Sequence, residues 1–137
     1  MIDTGPHRLD KVRTILSPDG AAHLKTDSPT FYADLDNEFG DFSGHMLCSQ
    51  HSFDEPWGVW EIHPHGDEWV YLLSGDTDFV LMVDGEEETI RVSTPGTYVI
   101  VPKGVWHTAK PHSPTTMLFV TPGQGTINAL EPGGEPL

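Results

Sequence analysis

From Gly40 onward, apolar residues fall in short runs, many alternating with polar ones, and the runs are separated by turn-forming residues. Strict alternation puts every second side chain on one face of a strand, so this pattern predicts antiparallel strands. Eight are expected: His45 to Phe53, Val59 to His63, Glu68 to Leu73, Thr77 to Val83, Thr89 to Val92, Thr97 to Val101, Val105 to Lys110 and Thr115 to Thr121. Between them lie Asp54-Glu55-Pro56, Gly66-Asp67, Ser74-Gly75-Asp76, Asp84-Gly85, Pro95-Gly96 and Lys103-Gly104, all of which favour turns. Asp84-Gly85 between two apolar runs is the strongest hairpin signal. Eight short strands in so short a chain predict a double-sheet jelly roll or a small barrel.

Before Gly40 the pattern is different. Phe31, Leu35 and Phe39 recur every fourth residue, the spacing of one helix face, while Asp34, Asp36 and Glu38 fall on the other. Ser28 suits the N-cap, Pro29 the first helical position and Gly40 the residue past the end, which predicts one short helix over Pro29 to Phe39, packed on the sheet. Residues 1–27 read as an arm with a short strand at Val12 to Leu16 or Ala22 to Thr26. After Thr121 the Gly- and Pro-rich sequence reads as loop and a loose tail. The organisation expected is an arm and helix over residues 1–40, a β-barrel over 41–125 and a C-terminal tail over 126–137.

Composition narrows the possible partners. Seven Lys and Arg against 21 Asp and Glu give a net charge of −14, which repels nucleic acid and anionic membrane surfaces. With 36% hydrophobic and 20% charged residues the chain can build a core, and the 14 Gly and 12 Pro fit a fold rich in turns. The single cysteine, Cys48, excludes an internal disulfide and a cysteine-based zinc cluster, and reads as a buried small apolar residue. With no signal-like or membrane-length apolar run, a cytoplasmic location is the expectation.

The chemistry concentrates around a few histidines. His63 and His65 are two apart on an expected strand, so their rings leave the same face, and Glu68 follows just past the Gly66-Asp67 turn. Far downstream, Pro95-Gly96 and Lys103-Gly104 turn the chain so that His107 can join them. Three imidazoles meeting without an ion would bury polar nitrogens at a cost, whereas His7, His23, His45, His51 and His112 read as ordinary surface or core histidines. Of these, His51 and His112 are candidates to stand behind the ligands. Glu61 shares the strand face of His63 and His65 and is the rival to Glu68 as the carboxylate, while Asp67 reads as a turn residue.

Gly58, His63, His65, Glu68 and Gly75, followed by Gly96, Pro102, Gly104 and His107, resemble the two motifs of the cupin superfamily over about residues 58 to 107. Two departures stand out. Only Gly66 and Asp67 separate His65 from Glu68, where that family usually has three or four residues, and Pro111 stands where it usually has Asn. Glu68 keeps the usual spacing to Gly75, so the shortening lies in the turn. The resemblance implies an all-β, antiparallel double-stranded β-helix (a jelly-roll β-barrel) with one short N-terminal helix. It also implies a metal held by His63, His65, Glu68 and His107.

Three neutral imidazoles and one carboxylate suit Fe, Mn, Ni, Zn or Co as divalent ions, and four ligands leave two of six octahedral positions open, as a catalytic site requires. The function expected is a metal-dependent enzyme on a small organic substrate, with dioxygenase chemistry favoured; isomerase or lyase chemistry and a non-catalytic ligand-binding or regulatory module are the alternatives. Trp57, Trp60, Trp69, Tyr71, Phe79, Tyr98, Trp106 and Phe119 are available as core, dimer contacts or pocket wall. Arg91 is either a substrate anchor or a solvated strand residue, and Glu86, Glu87 and Glu88 form a solvated hairpin tip. Small cupins commonly pair through their sheets, so the resemblance implies a homodimer with the arm near the interface.

Overall fold

The computed structural model describes residues 1–137. In chain order the elements are β1 (Val12–Leu16), β2 (Ala22–Thr26), α1 (Phe31–Glu38), β3 (Met46–Phe53), β4 (Trp60–Ile62), β5 (Glu68–Ser74), β6 (Thr77–Val83), β7 (Glu86–Val92), β8 (Tyr98–Val101), β9 (His107–Pro111), β10 (Thr115–Thr121) and β11 (Ile127–Ala129). They form two facing antiparallel sheets, one ordered β2-β1-β3-β10-β5-β8 and the other β11-β4-β9-β6-β7. This is the jelly roll that the alternation predicts. No helix is long and apolar enough to cross a membrane.

Alternation explains the core directly. Val70 and Leu72 on β5, Met117 and Phe119 on β10, and Val99 and Val101 on β8 point inward from one sheet; Phe79 and Leu81 on β6 and Ala109 on β9 meet them from the other. Each of these side chains is nearly inaccessible to water. The β6–β7 hairpin closes on Asp84 and Gly85, both with positive φ (51° and 80°), as a two-residue turn matched to the strand twist requires.

The N-terminal region is more ordered than its sequence suggests. Both candidate strands form and pair with one another as a hairpin, and β1 then pairs with β3 to extend the larger sheet. Helix α1 begins at Phe31, two residues later than expected. Its N-cap is Thr30, whose hydroxyl turns to the Asp34 carboxylate (2.9 Å) rather than to the helix backbone. Phe31 and Leu35 are buried with Ile15, Phe42 and Leu47 in a second, smaller core between the hairpin, the helix and β3.

The tail also departs from expectation. Residues 127–129 form β11, which pairs with β4, and the segment folds back so that the Leu137 N–H donates to the Asn128 carbonyl (2.8 Å). Three residues next to Gly and Pro carry too little alternation to be read as a strand; its partner β4 supplies the order.

Candidate metal centre

At one end of the sandwich the inward-facing positions turn from apolar to ionisable. Glu61 on β4 is the register partner of His107, the first residue of β9. Glu68 opens β5, and His63 lies one residue beyond the end of β4. The turn between β4 and β5 is tied to the Lys103-Gly104 turn: the Gly104 N–H donates to the His63 carbonyl (3.0 Å) and the Lys103 N–H to the Asp67 carboxylate (2.7 Å). Asp67 is therefore a turn residue, as expected.

These elements gather Glu61, His63, Glu68 and His107, whose ligand atoms all lie within 4.8 Å of one another. His63 Nε2 is 2.9 Å from Glu61 Oε1 and 3.2 Å from Glu68 Oε2, and His107 Nε2 is 3.2 Å from Glu68 Oε1 and 3.6 Å from Glu61 Oε1. His63, Glu68 and His107 are almost wholly buried (3%, 2% and 0% exposed). Despite the short separations, His63 Nε2, Glu68 Oε1 and His107 Nε2 make no well-aligned hydrogen bond. Buried polar atoms normally have partners. Here they converge on a shared point, a donor arrangement that fits a cation.

Neighbouring groups fix how each donor is presented. The Thr126 hydroxyl donates its proton to the Gly123 carbonyl (3.0 Å), so toward His63 Nδ1 (2.8 Å) its oxygen accepts. His107 Nδ1 faces the Val105 carbonyl (3.2 Å), which can only accept. In the neutral rings both protons therefore sit on Nδ1, and both Nε2 lone pairs face the cluster. The Thr121 hydroxyl donates to Glu68 Oε2 (2.6 Å), holding the carboxylate with Oε1 inward. Phe79 stacks on the His107 ring (5.9 Å, 16°), and Trp57 meets it edge-on.

Electrostatics match this geometry. Burial disfavours the imidazolium of His63 and His107, but the two carboxylates outweigh it and lift both rings to about 9. Burial likewise opposes ionisation of Glu61 and Glu68, and the two rings reverse it, holding Glu61 at about 2 and Glu68 below the usual carboxylate range. The two carboxylates make the pocket favourable to positive charge, which shows in the raised affinity of both rings for protons.

His65 is where expectation and structure part. It is exposed and lies outside the group, packed by Gly125 in a separate recess. The period-two rule holds only within a strand, and β4 ends at Ile62; Pro64 and Gly66 then turn the chain and carry His65 away from His63. His63, the first residue past the strand, still continues the alternation from Glu61, and Glu68 arrives from β5, so the supposed rivals Glu61 and Glu68 both reach the centre. The group that the structure brings together has two imidazoles and two carboxylates, and His65 is not among them.

The remaining candidates sort as follows. Arg91 makes a two-pronged pair with Asp76 (2.6 and 3.1 Å) on the exposed face and anchors nothing inside. His112, one residue past the end of β9, pairs with Asp78 (3.0 Å), and His7, His23 and His45 are also outside the group. His51 alone of the other histidines lines the cavity that opens above the centre. That cavity measures about 600 Å³, with Glu61, His63 and Glu68 in its wall beside Trp57 and Phe119, and Tyr32 and Leu35 of α1 on another side. Trp69 and Tyr71 instead stack on each other outside it, close to Tyr98. The cavity wall contributed by α1 has no sequence signal beyond the amphipathic stripe itself.

A family model described as a cupin domain matches residues 54–127, more than half of the chain. None of the curated proteins matches it. Among solved structures the chain is similar to oxalate decarboxylase of Bacillus subtilis (19% identity, TM-score 0.50, 61% of this chain and 23% of that one). It is also similar to an oxalate oxidase (15%, 0.50, 59% and 44%) and to a cupin-2 domain containing protein from Shewanella frigidimarina (19%, 0.48, 56% and 70%). The chain thus spans about a quarter of the length of the decarboxylase and less than half that of the oxidase. At these identities the likeness is one of fold.

Proposed function

The chain belongs to the cupin family, and from that premise we propose that it is a metal-dependent enzyme acting on a small organic molecule, with Glu61, His63, Glu68 and His107 as ligands of one divalent transition metal. The observation that carries this reading is the convergence of three buried, unpartnered donor atoms, His63 Nε2, Glu68 Oε1 and His107 Nε2. With neutral rings the four residues carry a charge of −2, which a divalent ion cancels, so the ion removes the cost of burying them.

Four ligands do not fill an octahedral shell, and three of them, Glu61, His63 and Glu68, line a cavity rather than solid core, as a catalytic centre requires and a closed structural one does not. A bound Fe(II) or Mn(II) would supply dioxygen chemistry, whereas Zn(II), Ni(II) or Co(II) would supply Lewis acidity. Two histidines and one carboxylate form the facial triad of non-haem iron oxygenases, and this group contains that triad with one carboxylate more, which favours the dioxygenase class. The protein's own part is to hold the donors in fixed tautomers through Thr126 and Val105, and to exclude water through Phe79 and Trp57.

Metal analysis of the isolated protein, followed by oxygen-electrode measurements on Fe(II)- and Mn(II)-loaded samples with a panel of small organic substrates, tests both layers. One ion per chain and substrate-dependent oxygen uptake, absent in His107→Ala, is the expected result. Conversion without uptake replaces the dioxygenase reading with Lewis-acid chemistry. A protein that binds metal and converts nothing is a binding module, and one that retains no transition metal overturns the reading.

A further inference from the structure

The cavity above the candidate centre has a one-sided chemistry. Its lining contains three carboxylates, Asp36, Glu61 and Glu68, and neither Lys nor Arg. A divalent ion would cancel Glu61 and Glu68 and leave no surplus positive charge, while Asp36 and the net charge of −14 remain. Arg13, whose charge reaches His51, lies outside the lining and is engaged by Asp27 (3.7 Å) and the Phe31 ring (4.3 Å), so an anion entering such a space would lose hydration without gaining a free cationic partner. The walls, in contrast, are aromatic and apolar: Phe53, Trp57 and Phe119 stand edge-on or tilted to one another at 5.7 and 6.0 Å, with Phe42, Leu35 and Leu47 across from them. Such surfaces reward a flat ring.

One polar side chain outside the candidate ligands stands out. The inward-facing residues of β3 are Leu47, Ser49, His51 and Phe53, and all four line the cavity. The His51 ring tilts against Phe119 (centroids 5.6 Å apart) and has no hydrogen-bond partner in the protein. Burial keeps it below its ordinary pKa, so it is neutral at neutral pH, with one nitrogen to accept and one to donate. A neutral imidazole in an aromatic wall matches a hydroxyl and gives a carboxylate little.

We infer that the cavity takes an uncharged molecule of one or two rings, a phenol or related hydroxylated ring, held between the aromatic walls with a hydroxyl hydrogen-bonded to His51. The volume of about 600 Å³ lies in the range of sites for compact organic ligands. This rests on the reading of the cavity as the entrance to a metal centre and narrows its substrates. His51 is a specificity residue in this account, and small dicarboxylates are excluded.

The test is calorimetric titration of the Mn(II)-loaded protein with 2-naphthol, its anionic isostere 2-naphthoate, and oxalate, with metal content measured on the same samples. 2-Naphthol should bind once per chain and at least about tenfold more tightly than 2-naphthoate, and oxalate should bind more weakly still. His51→Leu should weaken 2-naphthol by about tenfold without changing melting temperature or metal content, and His51→Gln, which keeps a donor and an acceptor, should restore part of the loss. Equal or tighter binding of either anion, no binding of 2-naphthol, or a His51→Leu protein that binds it like wild type overturns the inference. If His51→Leu fails to fold, the naphthol and naphthoate comparison on wild type still decides. A protein that holds no metal fails the underlying reading, whereas a metal-loaded one that prefers anions fails this inference alone.

Discussion

Two hydroxyls set what the candidate ligands can do. Thr126 can accept from His63 Nδ1 only because its own proton is committed to the Gly123 carbonyl, and Thr121 spends its proton on Glu68 Oε2. Removing such a partner frees the ligand to rotate or change tautomer, which typically costs 10- to 100-fold in metal affinity. Thr126→Val should therefore weaken metal binding by roughly that factor, measured by competition with a chromophoric chelator, while Thr126→Ser stays near wild type. The ligands themselves follow a different rule: Glu61→Gln, His63→Ala, Glu68→Gln and His107→Ala should each lose most of the metal, and His65→Ala should keep it. Retention by Glu61→Gln together with loss by His65→Ala would restore the donor set read from the sequence. That set was legible as far as strand periodicity reached. Glu61 and His63 obey the alternation of β4, but the exit of the chain at Ile62 depends on Pro64 and on pairing to residues far away, which spacing alone does not encode.

Among the elements, legibility followed the strength of local pattern. β6 and β10 carry seven-residue runs with turn residues on both sides, and their bounds, Thr77–Val83 and Thr115–Thr121, are those the pattern predicts. β11 exists only because β4 offers it an edge, and the β1–β2 hairpin owes its place to β3, so tertiary pairing decides where local signal is weak. The turns show the same division between local and long-range causes. Gly75 and Gly85 both have positive φ (104° and 80°), but a Cβ at Gly75 would run into the Pro114 carbonyl and the Thr115 backbone, whereas one at Gly85 meets nothing within 4 Å. Gly85→Ala should thus cost about 1 kcal/mol, the conformational penalty alone. Gly75→Ala should cost about 2 kcal/mol or more, because the β5–β6 turn must also move away from the strand-entry backbone at Thr115. Denaturant melts of the two variants check this, and equal losses would mean that the contact at Gly75 relaxes freely.

On the scale of the whole molecule, the centre links folding to pH through the same four groups that would bind metal. In chelator-treated protein, His63 and His107 titrate near 9 when folded against about 6.5 when unfolded. Their contribution to stability is complete below pH 6.5, declines as pH rises and is gone above about 9. Glu61, at about 2 when folded, contributes above its unfolded value near 4.5 and is lost only as pH falls toward 2. The stripped protein should accordingly lose stability between pH 6.5 and 9. A metal ion reverses this trend, because it must displace the protons that hold the cluster together, and its affinity rises as they leave. At free metal about 100 times the dissociation constant the gain is about 2.7 kcal/mol, equivalent to roughly 10 °C in melting temperature for a domain of this size. At a fixed free Mn(II) concentration chosen to give that gain at pH 9, the increment should shrink markedly at pH 6, where protons compete best. Thermal melts with Mn(II) and with chelator at both pH values measure it. A metal-induced increment of the same size at pH 6 and pH 9 would mean that the ion binds somewhere other than between His63 and His107.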